Sequence, residues 1–148
     1  YRSTADKMAT YVLGYSAPLF SPTGGMKITA HDLAIYMMMH MNYGEYNGVR
    51  IISEKSSKMM QTPVWTGKAR YGLCLKEYPN FMNDAKYREV GNLPIGHSGS
   101  AYGLKSIMIW SPSDGWGVVA MISGYASNRN KSIVKTLVNA IYEAGIKE

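Results

Sequence analysis

One of the three histidines lies in a cluster of small and hydroxyl residues, Gly96-His97-Ser98-Gly99-Ser100. A histidine beside a serine can serve nucleophilic catalysis, in which the imidazole takes the hydroxyl proton. Ser98 nearly matches the centre of a Gly-x-Ser-x-Gly nucleophile elbow, but Ser100 stands where the last glycine belongs. A strand is predicted after the cluster where an elbow needs a helix, and no histidine follows His97. The sequence therefore argues against a nucleophile elbow.

The other two histidines do not form a metal site. His31 and His40 are nine residues apart on a predicted helix, so they point about 180° apart and cannot share an ion. His31 beside Asp32 is interpreted as a capping or surface pair. The single cysteine, Cys74, allows neither an internal disulfide nor a thiolate cluster. No metal and no cofactor are expected.

Two helices are predicted before the cluster. Thr29 is a candidate N-cap for a largely buried helix over residues 30–42, and Ser53 caps a second helix that Pro63 ends. Six methionines on these helices are interpreted as adaptable core: Met37, Met38, Met39, Met41, Met59 and Met60.

Strands surround the cluster, and a helix closes the chain. Short apolar runs predict strands at 71–75, 103–110 and 116–122, and a Pro-Ser-Asp-Gly turn joins the last two. The closing helix has an apolar stripe made of Ile133, Val134, Leu137, Val138, Ile141 and Ala144. This order predicts an α+β fold, an antiparallel β-sheet flanked by α-helices.

Composition and charge exclude several classes of protein. With 148 residues, of which 46% are hydrophobic and 18% charged, the chain fits one globular domain, and no apolar run reaches the ~20 residues of a membrane span. Sixteen Lys and Arg against ten Asp and Glu give a net charge of +6, but the basic residues are spread along the chain. We therefore expect no nucleic-acid partner.

At the cluster the sequence resembles the serine β-lactamase-like family, which comprises class C β-lactamases, penicillin-binding DD-peptidases and esterase relatives. That family has a Lys-Thr-Gly or His-Ser/Thr-Gly box at the start of a central strand, followed by a glycine-containing turn and a hairpin. Here the box is His97-Ser98-Gly99. Further stretches resemble family segments in the same order, from about Ala9 onward: 21–33 with its Gly-Gly pair, 43–63, 71–73 and the closing helix.

The resemblance implies acyl transfer. In the family the serine of a Ser-x-x-Lys motif attacks an amide or ester carbonyl, aided by that lysine and by the tyrosine of a Tyr-x-Asn motif. Neither motif precedes the Gly-Gly pair here, and Ser132-Ile133-Val134-Lys135 lies on the terminal helix, where its match is interpreted as coincidence. We therefore expect residues 1–148 to be the C-terminal portion of one β-lactamase-like domain, a partial fold that is inactive alone. Its expected parts are an irregular segment (1–28), a helical unit (29–63) and a sheet hairpin with the terminal helix (64–148).

The resemblance also assigns roles. The Ser100 N–H would donate to the substrate oxyanion, Ser98 would hydrogen-bond the substrate or the tyrosine, and His97 takes the place of the box lysine. The expected substrate-binding residues are glycines that let the backbone approach the substrate: Gly24, Gly25 and Gly99.

The box histidine affects the expected substrate, a small molecule or peptide. A lysine favours anionic substrates such as the β-lactam carboxylate, whereas histidine carries less positive charge at pH 7, which favours an esterase or D-amino-acid peptidase. The alternative is a non-catalytic module of the same fold that binds a cell-wall peptide or a protein. A third hypothesis is a homodimer formed through an exposed sheet edge. The family resemblance favours a bacterial periplasmic or secreted protein.

Overall fold

The computed structural model describes residues 9, 12, 26–64, 70–101, 103–124 and 133–146. In chain order the elements are helix α1 (Ala30–Met41), strands β1 (Glu45–Tyr46) and β2 (Val49–Arg50), helix α2 (Glu54–Gln61), strand β3 (Lys76–Glu77), a 3₁₀ turn (Ala85–Arg88), strands β4 (Ile95–Ala101), β5 (Leu104–Trp110) and β6 (Gly117–Ile122), and helix α3 (Ile133–Gly145). Strands β3 to β6 form one four-stranded antiparallel sheet in that order. The predicted α+β class is confirmed.

The β5–β6 hairpin is covered on both faces, as its apolar runs predict. Ile107 and Ile109 of β5 pack with Val138 of α3 in one cluster, termed the first core. Met108, the residue between them, packs with Met37 of α1 in a second core on the other face. The sheet therefore lies between α3 on one side and α1 on the other.

The starts of the first two helices are confirmed. The side-chain oxygen of Thr29 accepts from the Asp32 N–H at 3.0 Å, and Ser53 caps α2 in the same way. The Gln61 side chain donates to the His40 carbonyl oxygen at 2.8 Å, which ties the end of α2 to the end of α1. Of the six methionines predicted as core, Met59 alone is exposed, at 49%.

The strand predicted at 71–75 is replaced by a tight turn. Tyr71 forms only an isolated bridge to Lys76, the Gly72 N–H donates to the Leu75 carbonyl at 2.7 Å, and Cys74 has a φ of +87°. Gly72 lies against the Met60 backbone carbonyl at the end of α2, where a Cβ would collide. This close approach leaves no room for a regular strand, and β3 begins only after the turn.

The buried face of α3 differs from the predicted stripe. Leu137 and Ile141 remain 36% and 38% exposed, whereas Asn139 and Tyr142 are buried. The Asn139 side chain accepts from the Asn83 N–H at 2.6 Å and donates to the carbonyls of two further residues. Because Asn139 bonds to the loop before the 3₁₀ turn, α3 directs Asn139 and Tyr142 toward the core and leaves Leu137 and Ile141 partly exposed.

Candidate functional site

Strand β4 carries the box and lies between β3 and β5. All of its residues pair with β5, whereas β3 pairs only with Ile95 and Gly96. From His97 to Ala101, β4 has no pairing strand on its other side among the described residues. Residues 97–101 are therefore termed the free edge. All five are exposed.

The backbone of the free edge presents donors and acceptors outward. The Tyr78 N–H donates to the Pro94 carbonyl at 2.8 Å, so the polar groups of Pro94 face the β3 side. Alternation along an antiparallel strand directs the N–H and C=O groups of Ser98 and Ser100 to the same side. The Ser100 N–H, the predicted oxyanion donor, thus points to the position where a ligand carbonyl can accept from it.

The His97 and Ser98 side chains lie on opposite faces of β4, as successive residues of a strand do. His97 lies opposite Met108 and therefore on the α1 side, whereas Ser98 lies opposite Ile107 on the α3 side. The structure does not bring the imidazole and the hydroxyl together. This geometry argues against His97 as the base that activates Ser98.

Of the three expected substrate-binding glycines, Gly99 lies among the described residues. A Cβ at Gly99 would lie 2.6 Å from the Ser106 hydroxyl oxygen, so the absence of a side chain leaves room for that hydroxyl. Gly24 and Gly25 lie outside the described residues.

The Lys135 ammonium, from the Ser-x-x-Lys match on α3, donates to the Asn80 carbonyl at 2.7 Å and is engaged away from the free edge.

Two residues that the sequence did not indicate, Lys76 and Tyr78, lie on the same face of the sheet as Ser98. Burial raises the pKa of Tyr78 to about 12, and the nearby Ser98 hydroxyl opposes part of that shift. The two hydroxyls nevertheless form no well-directed hydrogen bond, and the Tyr78 hydroxyl is buried without a partner among the described residues. The Lys76 ammonium lies 4.4 Å from the centroid of the Tyr78 ring and 5.6 Å from that of Tyr71. The only sequence signal for this pair is that Lys76 and Tyr78 are two residues apart, a spacing that puts side chains on one face of a strand.

The other described parts of the chain offer fewer groups that could bind a ligand or take part in catalysis. A shallow cleft of about 670 Å³ beside α2 has Met59, Val64 and Leu73 as its apolar lining, and it contains no residue of the free edge. Within the described ranges, no three His, Cys, Asp or Glu residues are grouped where they could hold a metal ion. In the same ranges, no helix is both long enough and apolar enough to span a membrane.

The free edge therefore combines outward backbone donors with an exposed Ser98 hydroxyl, and Lys76 pairs with Gly96, the residue directly before it. Such a surface can bind a carbonyl compound along the strand, by the main-chain hydrogen bonds that extended ligands make with sheet edges. It holds no nucleophile paired with a base among the described residues. In comparisons with known proteins, the chain matches no family model, no curated protein and no solved structure.

Proposed function

We propose that this chain forms one wall of the active site of a serine hydrolase of the β-lactamase-like family, which hydrolyses an amide or ester through an acyl-enzyme. The free edge of β4 is the observation that carries the proposal, because the Ser100 N–H points outward there directly after the box. A bound carbonyl oxygen accepts a hydrogen bond from this N–H. The bond strengthens in the transition state, when the oxygen gains negative charge.

The attacking serine and its lysine come, in this proposal, from polypeptide outside these 148 residues. The chain itself supplies one oxyanion donor, the Ser100 N–H, and the Ser98 hydroxyl, which binds the substrate or the tyrosine of the family. His97 lies on the opposite face and contributes to the α1 side of the edge. The 148-residue chain alone is therefore expected to bind ligands without hydrolysing them.

The proposal is tested with a protein that contains the polypeptide upstream of this sequence. We expect it to hydrolyse nitrocefin or a p-nitrophenyl ester and to form an acyl-type adduct with a serine-directed phosphonate. A protein that is silent on both substrates and forms no adduct would refute the proposal. An upstream reading frame without Ser-x-x-Lys and Tyr-x-Asn would instead support the non-catalytic binding module.

The role of Ser100 has a separate test in the same protein. Ser100→Pro removes the backbone N–H at a free edge, where proline is tolerated because the donor faces away from the sheet. Ser100→Ala keeps the N–H and serves as the matched control. Loss of one oxyanion donor lowers kcat about 10²- to 10³-fold, so the proline variant should fall by that factor and the alanine variant should not.

A further inference from the structure

We propose that Lys76 determines specificity in this site by selecting ligands that carry a carboxylate or another anionic group, and that Tyr78 positions its ammonium. This inference rests on the proposed function and names the substrate class of the same site. It reverses the expectation from the box histidine, which favoured neutral substrates.

Lys76 lies next to the box on the adjoining strand. It pairs with Gly96, the residue directly before His97. Because paired residues share a face, and because side chains alternate along β4, Lys76 and Ser98 both lie on the α3 side of the sheet. The side chains of Lys76, Tyr78 and Ser98 therefore lie on one face of the sheet, next to the start of the free edge.

Aromatic rings restrict the position of the ammonium. It lies 4.4 Å from the Tyr78 ring centroid and 5.6 Å from that of Tyr71, both within the range of cation–π attraction. The Tyr78 ring is itself fixed by burial in the first core and by an edge contact with Phe81, at 5.2 Å between centroids. A cation held in this way loses less conformational freedom on binding an anion than a free lysine does.

The charge of Lys76 is not neutralised by the described part of the chain. No carboxylate of those residues lies within ion-pair distance of its ammonium. The adjacent Glu77 points to the opposite face of β3 and forms an ion pair with Arg70. An anionic ligand at the free edge therefore meets an ammonium that has no competing partner among these residues.

Tyr78 acts through its neighbours, because its hydroxyl is buried and does not reach a ligand. Its ring supports the Lys76 ammonium, and its hydroxyl lies near the Ser98 side chain. A change at Tyr78 should thus alter how well anionic and neutral ligands are distinguished, beyond any effect on stability.

The experiment measures ligand binding to the 148-residue chain and needs no nucleophile. Phenylacetylglycine, a carboxylate, and its neutral methyl ester are titrated separately while NMR follows the backbone amides of Ser98 and Ser100. We expect the carboxylate to bind about fivefold tighter, as one exposed charge contact allows. Raising the salt from about 0.05 to 0.5 M should reduce this preference, because ions screen the contact.

Two variants of Lys76 test whether this residue causes the preference for the carboxylate. Lys76→Met should bring the carboxylate-to-ester affinity ratio to about one, whereas the matched control Lys76→Arg should retain the preference. Tyr78→Phe keeps the ring and should keep the ratio, and Tyr78→Leu should lower it. Circular dichroism confirms that each variant is folded.

The outcomes separate this inference from the proposed function. A wild-type chain that binds both compounds equally at the free edge overturns the role of Lys76 and leaves the proposed function standing. A preference for the carboxylate that persists in Lys76→Met also overturns the role of Lys76 and leaves the proposed function standing. If neither compound shifts the Ser98 and Ser100 amides, the proposed site itself is refuted and the inference falls with it.

Discussion

Replacing His40 by phenylalanine should abolish a pH-dependent loss of stability in the helix α1 layer. His40 is 1% exposed, stacks on Trp110 with 6.2 Å between ring centroids, and meets the Tyr36 ring edge-on at 4.7 Å. Neither imidazole nitrogen has a hydrogen-bond partner among the described residues. Burial lowers the pKa of His40, because removal from water disfavours the charged imidazolium.

The direction of the pH effect follows from this lowered pKa. The unfolded chain binds a proton at His40 more readily than the folded chain, so stability is complete above the unfolded pKa of about 6.5 and is lost as the pH falls below it. The loss stops below the folded pKa. Between pH 7 and pH 5.5, this one group can lower the free energy of unfolding by at most about 1.3 kcal/mol, which is the limit for an imidazole that binds no proton in the fold.

His40→Phe binds no proton, so it escapes that loss. It also removes two buried nitrogens without partners, and one such group typically costs about 1–3 kcal/mol. A phenyl ring can keep the stacking on Trp110 and the edge contact with Tyr36. We therefore expect the variant to be more stable than the wild type by at least about 1 kcal/mol at pH 7, and by up to about 1.3 kcal/mol more at pH 5.5.

Urea unfolding at the two pH values measures the effect, with tryptophan fluorescence as the signal because Trp110 contacts the replaced ring. His31→Gln is the matched control, since the side chain of His31 is 83% exposed. The control should keep the pH dependence of the wild type. If the wild type and His40→Phe lose the same unfolding free energy between the two pH values, the assignment to His40 is wrong.

Three further variants test the fold that positions the site. Thr29→Ala removes the N-cap of α1 and should cost about 1 kcal/mol in urea unfolding. Asn139→Ala removes all three hydrogen bonds of a buried side chain, including the acceptor of the Asn83 N–H, so we expect a loss of about 2–3 kcal/mol and faster hydrogen exchange at that amide. Gly96→Ala would place a Cβ against the Met108 backbone carbonyl, and its β4–β5 cross-strand NMR contacts should disappear even if the rest of the chain stays folded.

The elements with strong local signals could be predicted from the sequence. Thr29 and Ser53 start their helices because their side-chain oxygens cap the first turn. The Pro-Ser-Asp-Gly turn closes the β5–β6 hairpin because Gly115 adopts a φ of +71°, which few other residues accept without strain. These interactions span only a few residues, and so a single sequence is enough to indicate them.

The candidate site depends on contacts that no local pattern encodes. Lys76 comes to lie beside Gly96 only through the register of β3 on β4, and the chain between them forms a loop and a 3₁₀ turn. The orientation of α3 could not be predicted from the sequence either. Its hydrogen-bonded Asn139 occupies a core position that hydrophobic periodicity assigns to apolar residues. The sequence could thus indicate the strand that carries His97-Ser98-Gly99, but not the position of the Lys76 ammonium.

The side of the sheet that holds the positive charge has a consequence for the proposed substrate. A lysine at position 97 would place its charge on the α1 side of β4, where His97 lies, whereas Lys76 places it on the α3 side, the face that also carries Ser98. A ligand that keeps its carbonyl oxygen on the Ser100 N–H must then direct its anionic group toward α3. Under the proposed role of Lys76, we therefore expect the histidine in the box to change the orientation of an anionic substrate and not, by itself, to select a neutral one.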